Sequence, residues 1–174
     1  MSINRLESER LILRHFTLED AEEMFSSYAS DQEVTRYLSW HHHESVEQTK
    51  MILGYWIKEY EDPKTERFAI ILKATGELIG GIDIVDFVDG KPEVGYVLAR
   101  RYWNNGYMSE ACKLFLSHLE QLGYKEIVIE ANENNIGSNK VIEKCGFTFT
   151  HKETKPNSRF KPEIITVNWY KKSS

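Results

Sequence analysis

The stretch Trp103-Asn104-Asn105-Gly106-Tyr107-Met108-Ser109-Glu110-Ala111 stands between a strand-like run and an amphipathic helical run. A glycine there lets the backbone turn sharply and lets a ligand come close to the main chain. The first amides of the helix that follows have no intrahelical partner, and the helix dipole favours an anion beside them. The stretch therefore predicts a phosphate seat. Because a strand, a glycine turn and a helix could serve any nucleotide, the choice rests on a second segment downstream. That segment is Asn135-Ile136-Gly137-Ser138, followed by Glu143-Lys144-Cys145-Gly146-Phe147.

On the C-terminal side of the turn, Ala111, Leu114, Phe115, Leu119 and Leu122 recur at helical spacing until Gly123. A strand over residues 126–131 follows, and strand, helix, strand in that order imply a parallel crossover. A further helix over 137–145 ends at Gly146, with closing strands at 147–149 and 164–169 and a loop at Lys155-Pro156-Asn157-Ser158. On the N-terminal side, the runs 68–72, 78–85 and 92–98 are rich in β-formers and are separated by Thr75-Gly76 and Asp89-Gly90 turns. They predict three antiparallel strands. Residues 6–14 read as one strand, Thr17 as the cap of a first helix through Ala21, Met24, Phe25 and Tyr28, and Ser45 with Gln48 as the capping box of a second.

At 174 residues the chain fits one domain, 1–174, long enough to bury about 70% of its unfolded surface. Its 41% hydrophobic and 28% charged content is that of a globular protein. A net charge of −5 opposes non-specific attraction to nucleic acid or anionic membrane, so a polyanionic ligand has to be held locally. No apolar run reaches the roughly 18 residues of a membrane span, and the first residues lack a signal-peptide pattern. Cys112 and Cys145 are too few for a disulfide framework, which fits a reducing, cytoplasmic setting.

The order of elements and both motifs resemble the GNAT N-acetyltransferase family, in its ribosomal-protein (RimJ/RimL-like) branch. The resemblance runs from Glu9-Arg10-Leu11-Ile12-Leu13-Arg14 through Asp31-Gln32-Glu33-Val34, Tyr37-Leu38 and Glu93-Val94-Gly95-Tyr96-Val97-Leu98 to the two motifs quoted. It implies an α+β fold: a mixed, mostly antiparallel sheet of about seven strands with a splayed parallel central pair, and about four helices. It also implies acetyl-CoA, or coenzyme A, as co-substrate. The pantetheine arm would enter the splay against Tyr96, Val97 and Leu98, and the diphosphate would meet Asn104, Asn105, Gly106, Tyr107, Met108 and Ser109. Met108 departs from the usual glycine or alanine, a larger side chain with the reach to narrow the seat. Asn135 matches the asparagine that bonds the pantetheine arm, and Ser138 the small residue facing the thioester. In isolation both read equally as helix caps. Arg100, Arg101, Lys140 and Lys144 are either cofactor-neutralising or solvated charges.

The reaction so implied is attack of a neutral amine on the thioester carbonyl, with a strand N–H stabilising the oxyanion. Deprotonating a lysine amine at pH 7 costs about 4.6 kcal/mol and an α-amine only about 1.1 kcal/mol, so the need for a base depends on the acceptor. Glu93 is the candidate base; its alternative is a solvated carboxylate beside the Asp89-Gly90 turn. Many family members carry a tyrosine four residues after Ser138 to protonate the leaving thiolate. Here that position is Ile142, and Ser138 is the candidate for the role. Tyr37 and Trp40 lie where the branch builds its acceptor pocket, or else pack in the core. His41-His42-His43 cannot all face one ion, so no metal is expected. The acceptor expected is a protein or peptide α-amine or a small amine, with a homodimer frequent in the branch. A catalytically silent acyl-CoA-binding module is the competing reading. A dinucleotide-binding domain would need a G-x-G-x-x-G after its first strand, which is missing.

Overall fold

The computed structural model describes residues 3–174. Its eight-stranded sheet runs β1-β2-β3-β4-β5-β6-β8-β7. The strands are β1 (Arg5–Glu7), β2 (Leu11–Arg14), β3 (Arg67–Leu72), β4 (Leu78–Val88), β5 (Lys91–Leu98), β6 (Glu126–Asn132), β7 (Thr148–Pro156) and β8 (Ile164–Ser173). The helices are α1 (Ala21–Met24), α2 (Gln32–Thr35), α3 (Val46–Glu59), α4 (Tyr107–Gln121) and α5 (Ile136–Lys144). All strand pairs are antiparallel except β5 with β6.

That is one strand and one helix more than the sequence predicts. Residues 6–14 form two strands because Ser8 N–H bonds Leu11 O at 2.9 Å and turns the chain. The first helix is broken, passing from a 3-10 turn through α1 into a π turn at Phe25–Ala29 before α2 restarts after Asp31. Asp31 caps α2 by accepting the Glu33 N–H at 2.9 Å. β7 runs on to Pro156, well beyond residue 149, and takes in Lys155 and Pro156, which read as loop. It is an exposed edge strand of Thr, His, Lys and Glu, so no hydrophobic alternation marks it.

Alternation along the strands divides the core in two. Val94, Tyr96 and Leu98 of β5, with Ile82 and Ile84 of β4, face α4 and α5, where Phe115, Leu119, Ala111 and Ile142 are buried. Val97 and Gly95 face the other side, where Met24 of α1, Tyr28 of the π turn, Leu53 of α3 and the preceding Phe16 pack on Ala69 and Ile71. Gly80 has to lack a side chain, because a Cβ there would collide with the Val97 carbonyl oxygen across the ladder.

The feature that positions the site is the poor pairing of β5 with β6. Only Glu93 and Val128 are in register, whereas β4 pairs β5 along its length and β8 pairs β6 from Glu126 to Asn132. Asn139 of α5 holds β6 away. Its amide nitrogen donates to Asn132 O at 3.0 Å, and its oxygen accepts from Asn168 and Tyr170 of β8 at 2.9 and 2.6 Å. Beyond Glu93 the two strands diverge.

Phe115, fully buried and edge-on to Phe68, joins α4 to the sheet. Phe115→Ala is expected to lower the unfolding free energy by about 3–5 kcal/mol in urea titration; a loss under about 1 kcal/mol would contradict this packing.

Candidate active site

Gly106 caps α4 in the left-handed conformation, φ 78°, and Asn104 before it also has positive φ, 63°. Among the described residues, no backbone N–H from 104 to 109 has a protein acceptor; the ladder begins with Glu110 N–H on Gly106 O at 3.1 Å. Such a run of unpaired amides at a helix start is a place for an anion. Met108 does not narrow it. Its side chain turns inward and is 4% exposed, packed in the core with Ala111 and Cys112.

A residue with no assigned role in the sequence braces this turn. Arg10, after the β1–β2 turn, donates to Asn105 O at 3.1 Å, lies over the Tyr107 ring at 4.3 Å and pairs with Glu110 at 2.7 Å. Glu110 also accepts from Ser8 Oγ and Arg10 N–H, which holds its carboxyl below the usual range despite burial. Arg100 and Arg101 are paired with Asp31 and Glu77, and Lys140 and Lys144 are exposed.

A cleft of about 340 Å³ follows the gap between β5 and β6. It brings together Glu93, Tyr96, Val97, Asn135 and Ser138, and its far end reaches Tyr37 and Trp40. Leu98 stays outside it, and its carbonyl oxygen accepts the Trp103 indole N–H at 2.8 Å. Asn135 caps α5 through its oxygen, which accepts the Ser138 N–H at 3.2 Å; its amide nitrogen has no partner among the described residues. Ser138 Oγ lies 2.7 Å from Tyr96 Oη. The histidines diverge: His41 meets Phe160 O at 3.0 Å and His43 meets Thr49 Oγ1 at 2.7 Å.

A family model for the acetyltransferase (GNAT) domain matches residues 10–148. The chain belongs to the GNAT acetyltransferase family. It is 34% identical over 145 residues to the uncharacterised N-acetyltransferase YoaA of Bacillus subtilis, covering 82% of this chain and 81% of that one. It is 32% identical over 145 residues to the uncharacterised N-acetyltransferase p20 of Bacillus licheniformis, covering 82% and 81%. The fold is shared with RimL, the ribosomal L7/L12 α-N-protein acetyltransferase solved with coenzyme A, at TM-score 0.85 and 19% identity over 97% of each chain. This acetyltransferase is thus an acyltransferase with acetyl-CoA as donor.

The end of the acetyltransferase's cleft near Tyr37 and Trp40 is acidic and aromatic. Glu93 is pushed up to about 7, by burial first and then by the Glu130 carboxylate, with Lys155 opposing. Lys155 is itself held by Glu130 at 2.6 Å. Asp83, directly across the ladder from Gly95, is raised by burial to about 6, with Arg67 at 3.2 Å opposing. Arg67 also pairs with Glu59 at 2.7 Å and stacks on Trp56. Tyr28, 0% exposed, lines this end with no hydrogen-bond partner for its hydroxyl among the described residues. In the sequence Asp83 has no assigned role, and Tyr28 figures only on the apolar face of the first helix. A lone carboxylate inside the otherwise apolar run Leu78-Ile79-Gly80-Gly81-Ile82-Asp83-Ile84-Val85 was the available signal for Asp83.

The loop between β7 and β8 closes the same end. Asn157 Nδ2 donates to Leu38 O, Ser158 Oγ to Ser39 O, and Lys161 Nζ to Thr35 O and Leu38 O at 2.8 and 3.1 Å. Burial lowers the Lys161 ammonium, and Glu163 opposes that.

Carbon-detected NMR of the Glu93 carboxyl should give a midpoint of about 7, and Lys155→Met should raise it further because a stabilising cation is lost. A midpoint near 4.5, the ordinary value, would contradict this environment.

Proposed function

We propose that the protein, acting as one domain over 1–174, transfers an acetyl group directly to a primary amine, with the α-amine of a protein or peptide as the preferred acceptor. The observation that carries this is one cleft flanked by a raised carboxyl, Glu93, and a hydroxyl, Ser138, where the sheet is unpaired. Glu93 projects with Gly95 toward the α1–α3 side, and Ser138 stands on α5 at the opposite side. A thioester in the gap would lie between a proton acceptor and a hydrogen-bond donor.

The amine arrives as an ammonium, which the carboxylates of Asp83, Glu93 and Glu130 attract. Glu93 takes one proton, and the nitrogen lone pair attacks the thioester carbonyl. A carboxyl near 7 matches an α-amine near 7.8, for which the transfer costs about 1.1 kcal/mol, far better than a lysine amine. The oxyanion is met by a main-chain N–H of the open half of β5. The C–N bond is then complete, one of the two protons left on nitrogen passes to solvent while the other stays on the amide, and the oxyanion re-forms the carbonyl as the C–S bond breaks with its electron pair going to sulfur. Ser138 Oγ–H donates to that sulfur. Asn135 Nδ2 and the backbone at Tyr96 and Val97 hold the pantetheine arm, residues 104–109 hold the diphosphate, and Tyr37 and Trp40 line the acceptor entrance.

The α-amine preference is also supported by two proteins that share the fold. RimL is described as an α-N-protein acetyltransferase of L7/L12, and a Salmonella typhimurium neighbour as modifying the N-terminal serine of that protein. This reading places the enzyme in the RimL-like branch, and the free, buried Cys112 and Cys145 support a reducing, cytoplasmic setting.

Thiol release from acetyl-CoA, screened over ribosomal-protein N-terminal peptides, polyamines and aminoglycosides, is expected with the peptides. Binding of acetyl-CoA with no release over the whole panel would instead identify a silent module. With an active acceptor, Ser138→Ala should lower kcat roughly tenfold or more with acetyl-CoA affinity little changed. Glu93→Gln should remove the rise of kcat through pH 7, since the base works only when deprotonated. Unchanged kcat or an unchanged pH limb would remove the corresponding residue from the mechanism.

A further inference from the structure

Ile142 occupies the α5 position where the family commonly carries its phenol, and it is fully buried in the core. A phenol nevertheless reaches the site from the sheet. Tyr96, in the middle of β5, points to the α4–α5 side, and its Oη lies 2.7 Å from Ser138 Oγ and 3.2 Å from Ser138 O. Both residues line the cleft. We propose that Tyr96 is the positioning residue for Ser138: its hydroxyl donates to Ser138 Oγ, leaving the Ser138 proton directed at the departing sulfur. The inference rests on Ser138 being the donor.

In the proposed chain the single phenol proton goes to Ser138 Oγ, 2.7 Å away, rather than to the Ser138 carbonyl oxygen at 3.2 Å. A serine hydroxyl carries one proton and two acceptor sites, so it can accept from Tyr96 and donate to sulfur at once. Each bond polarises the next, so donation from the phenol makes Ser138 a stronger donor. Burial, the largest influence on Tyr96, keeps the phenol protonated well beyond its ordinary range. No proton therefore leaves Tyr96 or Ser138 in this step. The sulfur departs with the C–S electron pair as thiolate, stabilised by the Ser138 hydrogen bond, and is protonated from solvent on release. Among the described residues, Tyr96 Oη has no other side-chain partner than Ser138.

The test needs no acceptor. The thiol pKa of bound coenzyme A, followed by ultraviolet absorbance of the thiolate, is expected to lie below the roughly 8.5 of a free thiol. Ser138→Ala and Tyr96→Phe should each raise it by roughly one pH unit, and the double variant should match Ser138→Ala alone. Replacing Tyr96 with 3-fluorotyrosine, a more acidic phenol of similar size, should move it the opposite way. Unfolding midpoints in urea and affinity for coenzyme A at pH 6 report whether each variant is folded, and the fluorotyrosine protein keeps the test open if Tyr96→Phe is not. No shift in Ser138→Ala would overturn the Ser138 assignment itself. A shift in Ser138→Ala with none in the Tyr96 proteins, or a further shift in the double variant, would overturn the role of Tyr96 alone.

Discussion

The structure depends on a ladder that is left unmade. In a central pair of strands the backbone N–H and C=O groups are expected to be paired, because burying them unpaired is costly. Here β5 and β6 share one residue pair and then part. The parting is enforced from both sides. β4 holds β5 through a full antiparallel register, with Gly80 permitting the close approach, and Asn139 fastens the end of β6 to α5 and β8. What results is a slot inside a sheet, with hydrogen-bonding main chain along its edge and a helix N-terminus at one end. A ligand with its own amide groups can complete what the protein leaves open.

Charge is segregated along that slot. At the α4 end the arginines are spent on carboxylates: Arg10 on Glu110, Arg100 on Asp31, Arg101 on Glu77. What the start of α4 offers an anion is a set of unpaired, oriented main-chain amides. At the Tyr37–Trp40 end carboxylates outnumber the cations among them. Glu93 and Asp83 are both raised, by burial first and then by neighbouring carboxylates, Glu130 for Glu93 and Glu59 for Asp83, so a nearby ammonium would favour the charged form of each.

Much of this was legible in the sequence where local physics decides the conformation. The glycine at 106, the periodicity after it and the turn dipeptides marked α4 and the β3–β5 meander. The expectation about Met108 is not met because the apolar periodicity of α4 reaches back to it, three residues before Ala111. Met108 lies on the buried stripe with Ala111 and Phe115, and the seat needs only its amide. The broken first helix and the long polar β7 were unreadable for a related reason. The first is held by tertiary ties such as Glu23 accepting the Leu78 N–H, and the second by a neighbour strand, neither of which leaves a periodic trace. The Tyr96–Ser138 contact joins residues 42 apart in sequence and could only come from the folded chain.

The most direct measurement of the central claim is a crystal structure with coenzyme A bound. The thiol end should lie between β5 and β6 near Ser138, with pantetheine amides bonded to β5 main chain and the diphosphate on the amides of residues 104–109. Coenzyme A bound elsewhere, or strands β5 and β6 zipped together with the slot closed, would contradict it.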